Sequence, residues 1–125
     1  MDDHNRPQWF GSAQAAVAGL RALPANWDSY GAPRINEGCA VAALNLLLNV
    51  TKANTPRPAI VPTSRGGTQL EWHTRGVDLE VELLTPGRVL ASYEDQRTGE
   101  TWEKELLGDL TALDGAIARL SEEAC

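Results

Sequence analysis

The sequence predicts an α+β domain in which two N-terminal helices precede an antiparallel β-meander of four to five strands and a C-terminal helix. Three observations predict this fold. Apolar residues recur at helical spacing up to residue 50 and again after residue 109. Between residues 59 and 106 they alternate with polar residues, and turn residues interrupt that alternation at short intervals. Helices that are segregated from strands along the chain are typical of α+β folds.

Two helices are predicted before the strands. Ser12 is a candidate N-cap of the first helix, which Pro24 ends. Asn36 is a candidate N-cap of the second helix, where Glu37 is favourable in the first turn. The second helix has a broad apolar face, which predicts burial against both the sheet and the first helix. Its members are Cys39, Ala40, Ala43, Leu44, Leu47, Leu48 and Val50.

The two ends of the chain complete a single predicted domain over residues 1–125. Residues 1–10 form a polar tail that ends in Trp9-Phe10, and we expect this aromatic pair to dock on the domain. Near the other end, Asp109 or Thr111 caps the last helix. Its apolar stripe consists of Leu110, Leu113, Ile117 and Leu120.

The strongest strand pattern is a β-hairpin with a two-residue turn at residues 75–76, where glycine accepts a positive φ. Closing the hairpin at this turn places Trp72 opposite Leu79 and Leu70 opposite Val81. The apolar residues of both arms then share one face, which fixes the register. Trp72 is accordingly a predicted structural residue of the core.

The other face of the hairpin carries the candidate site. The same register places His73 opposite Asp78 and Glu71 opposite Glu80, with Glu82 on the same face. Like charges directly opposite each other are destabilising. We therefore expect solvent, a cation, a metal ion or a basic partner to offset the repulsion, and we predict that these five residues bind a partner.

The strand after residues 86–87 raises an inconsistency. Extending the hairpin through that turn without interruption places Tyr93 and Trp102 on the face of Glu80, and it also sets an apolar residue against a carboxylate. Either a β-bulge shifts the register or both sheet faces are partly covered. If the aromatic residues lie beside Glu80, Tyr93 joins the partner-binding residues as part of an aromatic floor.

Residues 26–33 contain the asparagine, aspartate, serine, glycine and proline that are typical of a loop, together with two aromatic residues. We expect Trp27 and Tyr30 to plug the core and Asp28 to cap local backbone N–H groups. Gly31 belongs to the same structural set.

The charge, the apolar runs and the cysteines of the chain argue against nucleic-acid binding, membrane contact and a disulfide or zinc framework. The chain has 125 residues and a net charge of −6, which argues against direct binding to nucleic acid and favours a basic partner. The polar opening and the lack of a long apolar run predict a cytoplasmic protein that does not contact a membrane. Cys39 and Cys125 suggest neither a disulfide framework nor a zinc site, and Cys39 is expected to be a small core residue.

Carboxylates near a histidine leave an enzymatic alternative open. Glu71, His73, Asp78 and Glu80 could bind a divalent metal ion in a metal-dependent hydrolase. A nuclease-type strand would carry a lysine two residues after its glutamate, and residues 78–82 offer none. A merely solvated acidic face is a further interpretation. We therefore assign no catalytic residue, no cofactor and no metal ion.

A family of small bacterial and phage proteins resembles this chain in four segments. They are Asn26-Trp27-Asp28-Ser29-Tyr30-Gly31-Ala32-Pro33, Pro62-Thr63, Gly66-Gly67-Thr68-Gln69-Leu70-Glu71-Trp72-His73 and Asp78-Leu79-Glu80-Val81-Glu82. That family carries a W-D-x-Y-G-A loop and a G-G-x-x-L-E-W strand. The resemblance covers residues 24–95. Its members look like the accessory proteins of phages and mobile elements, which implies a regulatory or inhibitory role but transfers no catalytic residue.

These observations favour a non-enzymatic module that binds a basic protein surface through an acidic sheet face. One concrete version is an anti-CRISPR-like inhibitor from a phage or mobile element, whose carboxylates stand where phosphates would bind in a defence complex. Besides the hydrolase, a further alternative is a toxin-neutralising accessory protein whose apolar helix face pairs with a partner. A homodimer also stays open.

Overall fold

The computed structural model describes residues 7–122, and it has the predicted α+β architecture. Three helices and a five-stranded antiparallel sheet follow one another in the predicted order. The helices are α1 (Phe10–Arg21), α2 (Glu37–Val50) and α3 (Thr111–Leu120). The strands are β1 (Ala59–Pro62), β2 (Thr68–Thr74), β3 (Val77–Thr85), β4 (Arg88–Asp95) and β5 (Thr101–Leu106).

Each strand pairs with the next one along the chain, so the sheet is a meander in the order β1-β2-β3-β4-β5. The predicted register of the β2–β3 hairpin is confirmed, because Leu70 pairs with Val81 and Trp72 with Leu79. Both residues of the turn, at positions 75 and 76, have positive φ angles of 55° and 75°. This combination is typical of the type I′ turn that joins twisted antiparallel strands.

A β-bulge in β3 interrupts the regular pairing of β3 with β4. Leu83 pairs with Val89 and Thr85 with Arg88, so that Leu84 is one residue too many on β3. Beyond the bulge every side chain of β4 exchanges faces relative to an uninterrupted register.

The bulge corrects the expected position of Tyr93. This residue pairs with Leu79 rather than lying beside Glu80, and it is only 6% exposed on the face that the helices cover. Trp102 pairs with Tyr93 and stacks on it, with ring centroids 5.4 Å apart. Tyr93 is therefore a core residue, and it does not form an aromatic floor for the acidic face within residues 7–122.

All three helices pack on one face of the sheet. They bury the apolar residues of the hairpin, including Trp72, which is 1% exposed. The helix residues of this core include Phe10, Ala13, Cys39, Ala43, Leu47, Leu113, Ile117 and Leu120. Because the helices take the apolar face, the charged face of the hairpin is left open.

The first two helices begin in different ways: a side chain caps α2, whereas no side-chain hydrogen bond among the described residues caps α1. Asn36 caps α2 as predicted, since its Oδ1 accepts a hydrogen bond from the backbone N–H of Cys39. Cys39 is fully buried, and burial raises the pKa of its thiol. The expectation that Ser12 caps α1 is wrong, because that helix already begins at Phe10, whose buried ring anchors this end. Of the predicted polar tail, residues 1–6 lie outside the described residues, as does Cys125.

The segment at residues 54–56 gathers hydrogen bonds from distant parts of the chain. The indole N–H groups of Trp9 and Trp72 donate to the carbonyl oxygens of Thr55 and Pro56, each over 2.7 Å. The hydroxyl of Thr55 is also 2.7 Å from that of Ser121, just after α3. This segment, which we call the clasp, thus joins the start of α1, the middle of β2 and the end of α3.

The loop after α1 corrects a second expectation. Tyr30 does not plug the core, because its side chain is 92% exposed. Trp27 is half-buried and lies outside the core cluster. The loop instead closes on itself: Oδ1 of Asp28 accepts hydrogen bonds from the backbone N–H groups of Tyr30 and Ala32. Gly31 has a φ of +86°, which favours glycine at that position.

Candidate functional site: the acidic sheet face

The sheet face that points away from the helices, which we call the open face, is lined with carboxylates in cross-strand rows. Its three central rows are Glu71–Glu80–Ser92–Glu103, His73–Asp78–Glu94–Thr101 and Gln69–Glu82–Leu90–Glu105. The structure thus brings together all of the predicted partner-binding residues except Tyr93. It adds Glu94, Glu103 and Glu105, which the sequence reasoning missed because the bulge decides which side chains of β4 and β5 reach this face.

Two pairs of like charges face each other directly across neighbouring strands. Glu71 is opposite Glu80, as predicted from the hairpin register. Asp78 is opposite Glu94, a pair that exists only because of the bulge. Such pairs lower the free energy of unfolding. Their presence on one face requires a compensating interaction or a functional reason.

His73 provides part of the compensation. Its Nδ1 lies 2.8 Å from Oδ1 of Asp78, and its Nε2 lies 3.2 Å from Oε1 of Glu71. Both ring nitrogens therefore meet carboxylate acceptors, an arrangement that only the doubly protonated imidazolium satisfies. The hydrogen bonds to Asp78 and then to Glu71 raise the pKa of His73, and the bond from His73 lowers the pKa of Asp78.

Two exposed arginines, one before β2 and one at the start of β4, each pair with a carboxylate at one end of the open face. Nη2 of Arg65 lies 2.8 and 2.9 Å from the two carboxylate oxygens of Glu82. Nε of Arg88 lies 2.8 Å from Oε1 of Glu105. Arg75, in the turn between β2 and β3, points away from these carboxylates and donates to the carbonyl oxygens of Leu120 and Glu122 at the end of α3.

Two further carboxylates have no such cationic partner in the described part of the chain. Among residues 7–122, Glu94 and Glu103 form no ion pair. They extend the negative surface from the hairpin towards β5. The open face is therefore acidic along its whole width, with its cations at the ends of strands and in the ring of His73.

The residues of the enzymatic alternative divide into two groups. One ligand atom from each of Glu71, His73 and Glu80 lies within 4.8 Å of the others, which is close enough for a single divalent cation. Asp78 lies outside this group and holds Nδ1 of the imidazole. This is the position of the carboxylate that orients many metal-binding histidines.

The open face has two concavities. One, of about 370 Å³, is lined by Leu90 and Ser92 together with Glu80, Glu82 and Glu103. The other, of about 510 Å³, lies between β3 and β5, and its lining includes Asp78 and Glu94. Both are wide and open, which suits the side chains of a protein partner better than an enclosed small molecule.

The toxin-neutralising alternative requires an exposed apolar helix face, and the candidate for it is the outer side of α2. Val41 and Leu48 are two turns apart and are 44% and 36% exposed. Single exposed apolar residues are ordinary on protein surfaces, so this side of the helix does not mark a binding site. Among the described residues, no helix is long and apolar enough to cross a bilayer.

No protein-family model, no curated protein and no solved structure matches the chain. The resemblance to the family of small bacterial and phage proteins stays a prediction.

Proposed function

We propose that the protein is a non-enzymatic interaction module whose open face binds a basic surface of a partner protein. The observation that carries this proposal is the pair of direct carboxylate oppositions, Glu71 with Glu80 and Asp78 with Glu94. Repulsion of this kind costs stability in the free protein. A cationic partner would relieve it, so that part of the binding free energy would come from strain already present in the sheet.

The spacing of the carboxylates fits a partner with an array of cations. Neighbouring strands lie about 4.8 Å apart, and alternate residues of one strand are separated by about 6.6 Å. Asp78, Glu80 and Glu82 therefore form a line of negative charges along β3, and Glu103 and Glu105 form a second line along β5. Between the lines, Leu90 offers an apolar contact for the aliphatic stem of an arginine or lysine.

A surface of this kind repels nucleic acid and competes with it for cationic protein grooves. The concrete form that we propose is an inhibitor encoded by a phage or mobile element. Its carboxylates would occupy phosphate positions in a nucleic-acid-binding groove of a defence complex, in the manner of an anti-CRISPR protein. The resemblance to small accessory proteins supports this form, and the open face supplies the charge that it needs.

Affinity capture from a bacterial host tests the proposal. The wild-type chain should retain a basic, nucleic-acid-binding protein, and the double variant Glu80→Lys, Glu82→Lys should lose it while its circular dichroism spectrum stays unchanged. The matched control is Glu37→Lys, Asp114→Lys, which makes the same charge change on exposed residues of helices. Equal retention by the two double variants would refute the role of the open face.

The ligand cluster around His73 supports a second candidate, a metal-dependent hydrolase. Glu71, His73 and Glu80 would hold a divalent cation that activates a water molecule, while Asp78 orients the imidazole. Calorimetric titration with Zn²⁺ and with Mn²⁺ tests this candidate. It requires stoichiometric binding that His73→Ala abolishes, and a titration without a binding isotherm for either ion would remove it.

A further inference from the structure

The β5 strand is an unprotected edge of the sheet. In the described strand order it has a neighbour only on the β4 side, so alternate residues direct backbone N–H and C=O groups outward. The opposite edge is blunted, since β1 has four residues and ends in Pro62. In contrast, β5 has six residues, from Thr101 to Leu106, without a proline or a bulge.

The side chains of this edge strand differ between its two faces. Glu103 and Glu105 are on the open face, and Glu94 extends their charge from the neighbouring strand. On the helix side, the ring of Trp102 is stacked on Tyr93 and has Nζ of Lys104 at 5.7 Å from its centroid. A segment that pairs with β5 would therefore meet negative charge on one side and an aromatic surface beside a cation on the other.

A groove runs along the helix side of the edge, between β5 and α3. It opens as a concavity of about 490 Å³ beside Trp102 and continues as one of about 370 Å³ beside Leu106. On the α3 side the groove is lined by the small residues Ala112 and Gly115. A Cβ atom at Gly115 would meet nothing within 4 Å, so there is open space beside this helix. Leu107, next to the end of β5, is 77% exposed. The groove has room for side chains that point inward from an added strand.

We propose that β5 accepts an extended segment of a partner protein as a sixth strand, and that this segment alternates basic with apolar residues. Its basic side chains would pair with Glu103 and would compete with the exposed Arg88 for Glu105. Its apolar side chains would enter the groove, where Lys104 disfavours further cations. The inference deepens the proposed function, because it names the form of the basic partner, but it can fail independently of the open face.

A second copy of the chain fits this edge poorly. Antiparallel self-pairing centred on Glu103 sets that residue against itself, and self-pairing centred on Lys104 sets Glu103 against Glu105. Either register adds like-charge pairs to a face that already carries two. In the two registers that pair the most residues of β5, charge complementarity therefore favours a foreign basic strand over a second copy of the chain.

The test uses a blocked eight-residue peptide of alternating arginine and valine as the probe. A block peptide, with four arginines followed by four valines, has the same charge but cannot present it on one side of a strand. We expect the alternating peptide to bind roughly tenfold more tightly than the block peptide and to slow hydrogen exchange at backbone amides of β5. Equal affinity for the two peptides, or unchanged exchange in β5, would overturn strand addition.

Two sets of variants locate the bound peptide. Glu103→Lys, Glu105→Lys should weaken binding of the alternating peptide by roughly tenfold or more. Gly115→Leu should also weaken it by filling the groove, whereas Gly19→Leu should not, although both glycines are exposed in helices and have open space at Cβ. If only Glu80→Lys, Glu82→Lys abolishes binding, the open face binds cations as proposed but strand addition is wrong.

Discussion

Glu71 and Glu80 stand directly opposite each other on β2 and β3, and Nε2 of His73 lies 3.2 Å from a carboxylate oxygen of the first and 3.9 Å from one of the second. The imidazole is thus the local counter-ion of a repulsive pair. Its protonation state decides how much of the repulsion remains, which links the stability of the open face to pH.

Replacing His73 with glutamine should destabilise the protein more at mildly acidic than at alkaline pH. The folded-state pKa of His73 is raised above 6.5, so its contribution is present below that value and lost as the pH rises through the folded pKa. The pKa of Asp78 is lowered from 3.8, so its contribution is present above that value and lost as the pH falls through its folded pKa. The stabilisation is therefore greatest between these two ordinary values.

Urea denaturation in the presence of EDTA measures this effect. The difference in free energy of unfolding between wild type and His73→Gln should be larger at about pH 5.5 than at about pH 8.5. Thr101→Ala, on the same face but without a titrating group, should give the same difference at both pH values. A pH-independent effect of His73→Gln would contradict the coupling.

Removing one of the opposed charges should stabilise the free protein. At alkaline pH and low salt, Glu80→Gln should raise the free energy of unfolding by roughly 0.2–0.5 kcal/mol, because it relieves the repulsion with Glu71. The gain should shrink in about 1 M NaCl, where surface charges are screened. Glu37→Gln, which removes a carboxylate paired with Arg21, serves as the control and should not stabilise. A destabilising Glu80→Gln at low salt would show that the pair is already compensated.

Deleting the bulge residue should unfold the domain. Without Leu84, β4 must slip by one position, which would turn Tyr93 towards solvent and Glu94 towards the core. Burying an unpaired carboxylate and exposing an aromatic ring together cost a free energy comparable to the whole stability of a domain, which is about 5–15 kcal/mol. Leu84→Ala keeps the residue count and should stay folded, and circular dichroism distinguishes the two variants. A folded deletion variant would mean that the sheet tolerates both registers.

The self-closed loop after α1 makes opposite predictions for two neighbouring residues. Tyr30→Ala should change the free energy of unfolding by less than about 0.5 kcal/mol, because the ring is almost fully exposed. Gly31→Ala should cost about 1–2 kcal/mol, because it forces a β-carbon into the left-handed region. Thermal or urea denaturation of the two variants compares them directly. A larger loss for Tyr30→Ala than for Gly31→Ala would contradict the loop structure.

The hairpin could be predicted from the sequence because its information is local. Two uninterrupted alternating arms and a two-residue turn leave one register in which Trp72 and Leu79 share a face. The helices could be predicted from the spacing of their apolar residues, and the start of α2 could be predicted from the capping chemistry of Asn36. All of these features are determined by residues that are close together in the chain.

The bulge and the loop could not be predicted in the same way. Leu84 continues an apolar run, and nothing in the local pattern says which residue of β3 is the extra one. The positions of Tyr93 and Glu94 depend on that single residue. Tyr30 was misplaced for a different reason: aromatic content predicts burial, but the hydrogen bonds of Asp28 complete the loop without it.

The clasp at residues 54–56 has a consequence for how the molecule opens. Trp9, Trp72 and Ser121 all bond to it, so separation of α1, β2 or α3 from the body breaks a hydrogen bond to a segment that also holds the other two. Opening one element alone therefore costs a hydrogen bond but gains little chain entropy, because the other two elements stay attached. We expect the three elements to behave as one cooperative unit, whose slowest amide protons exchange with solvent at a common rate.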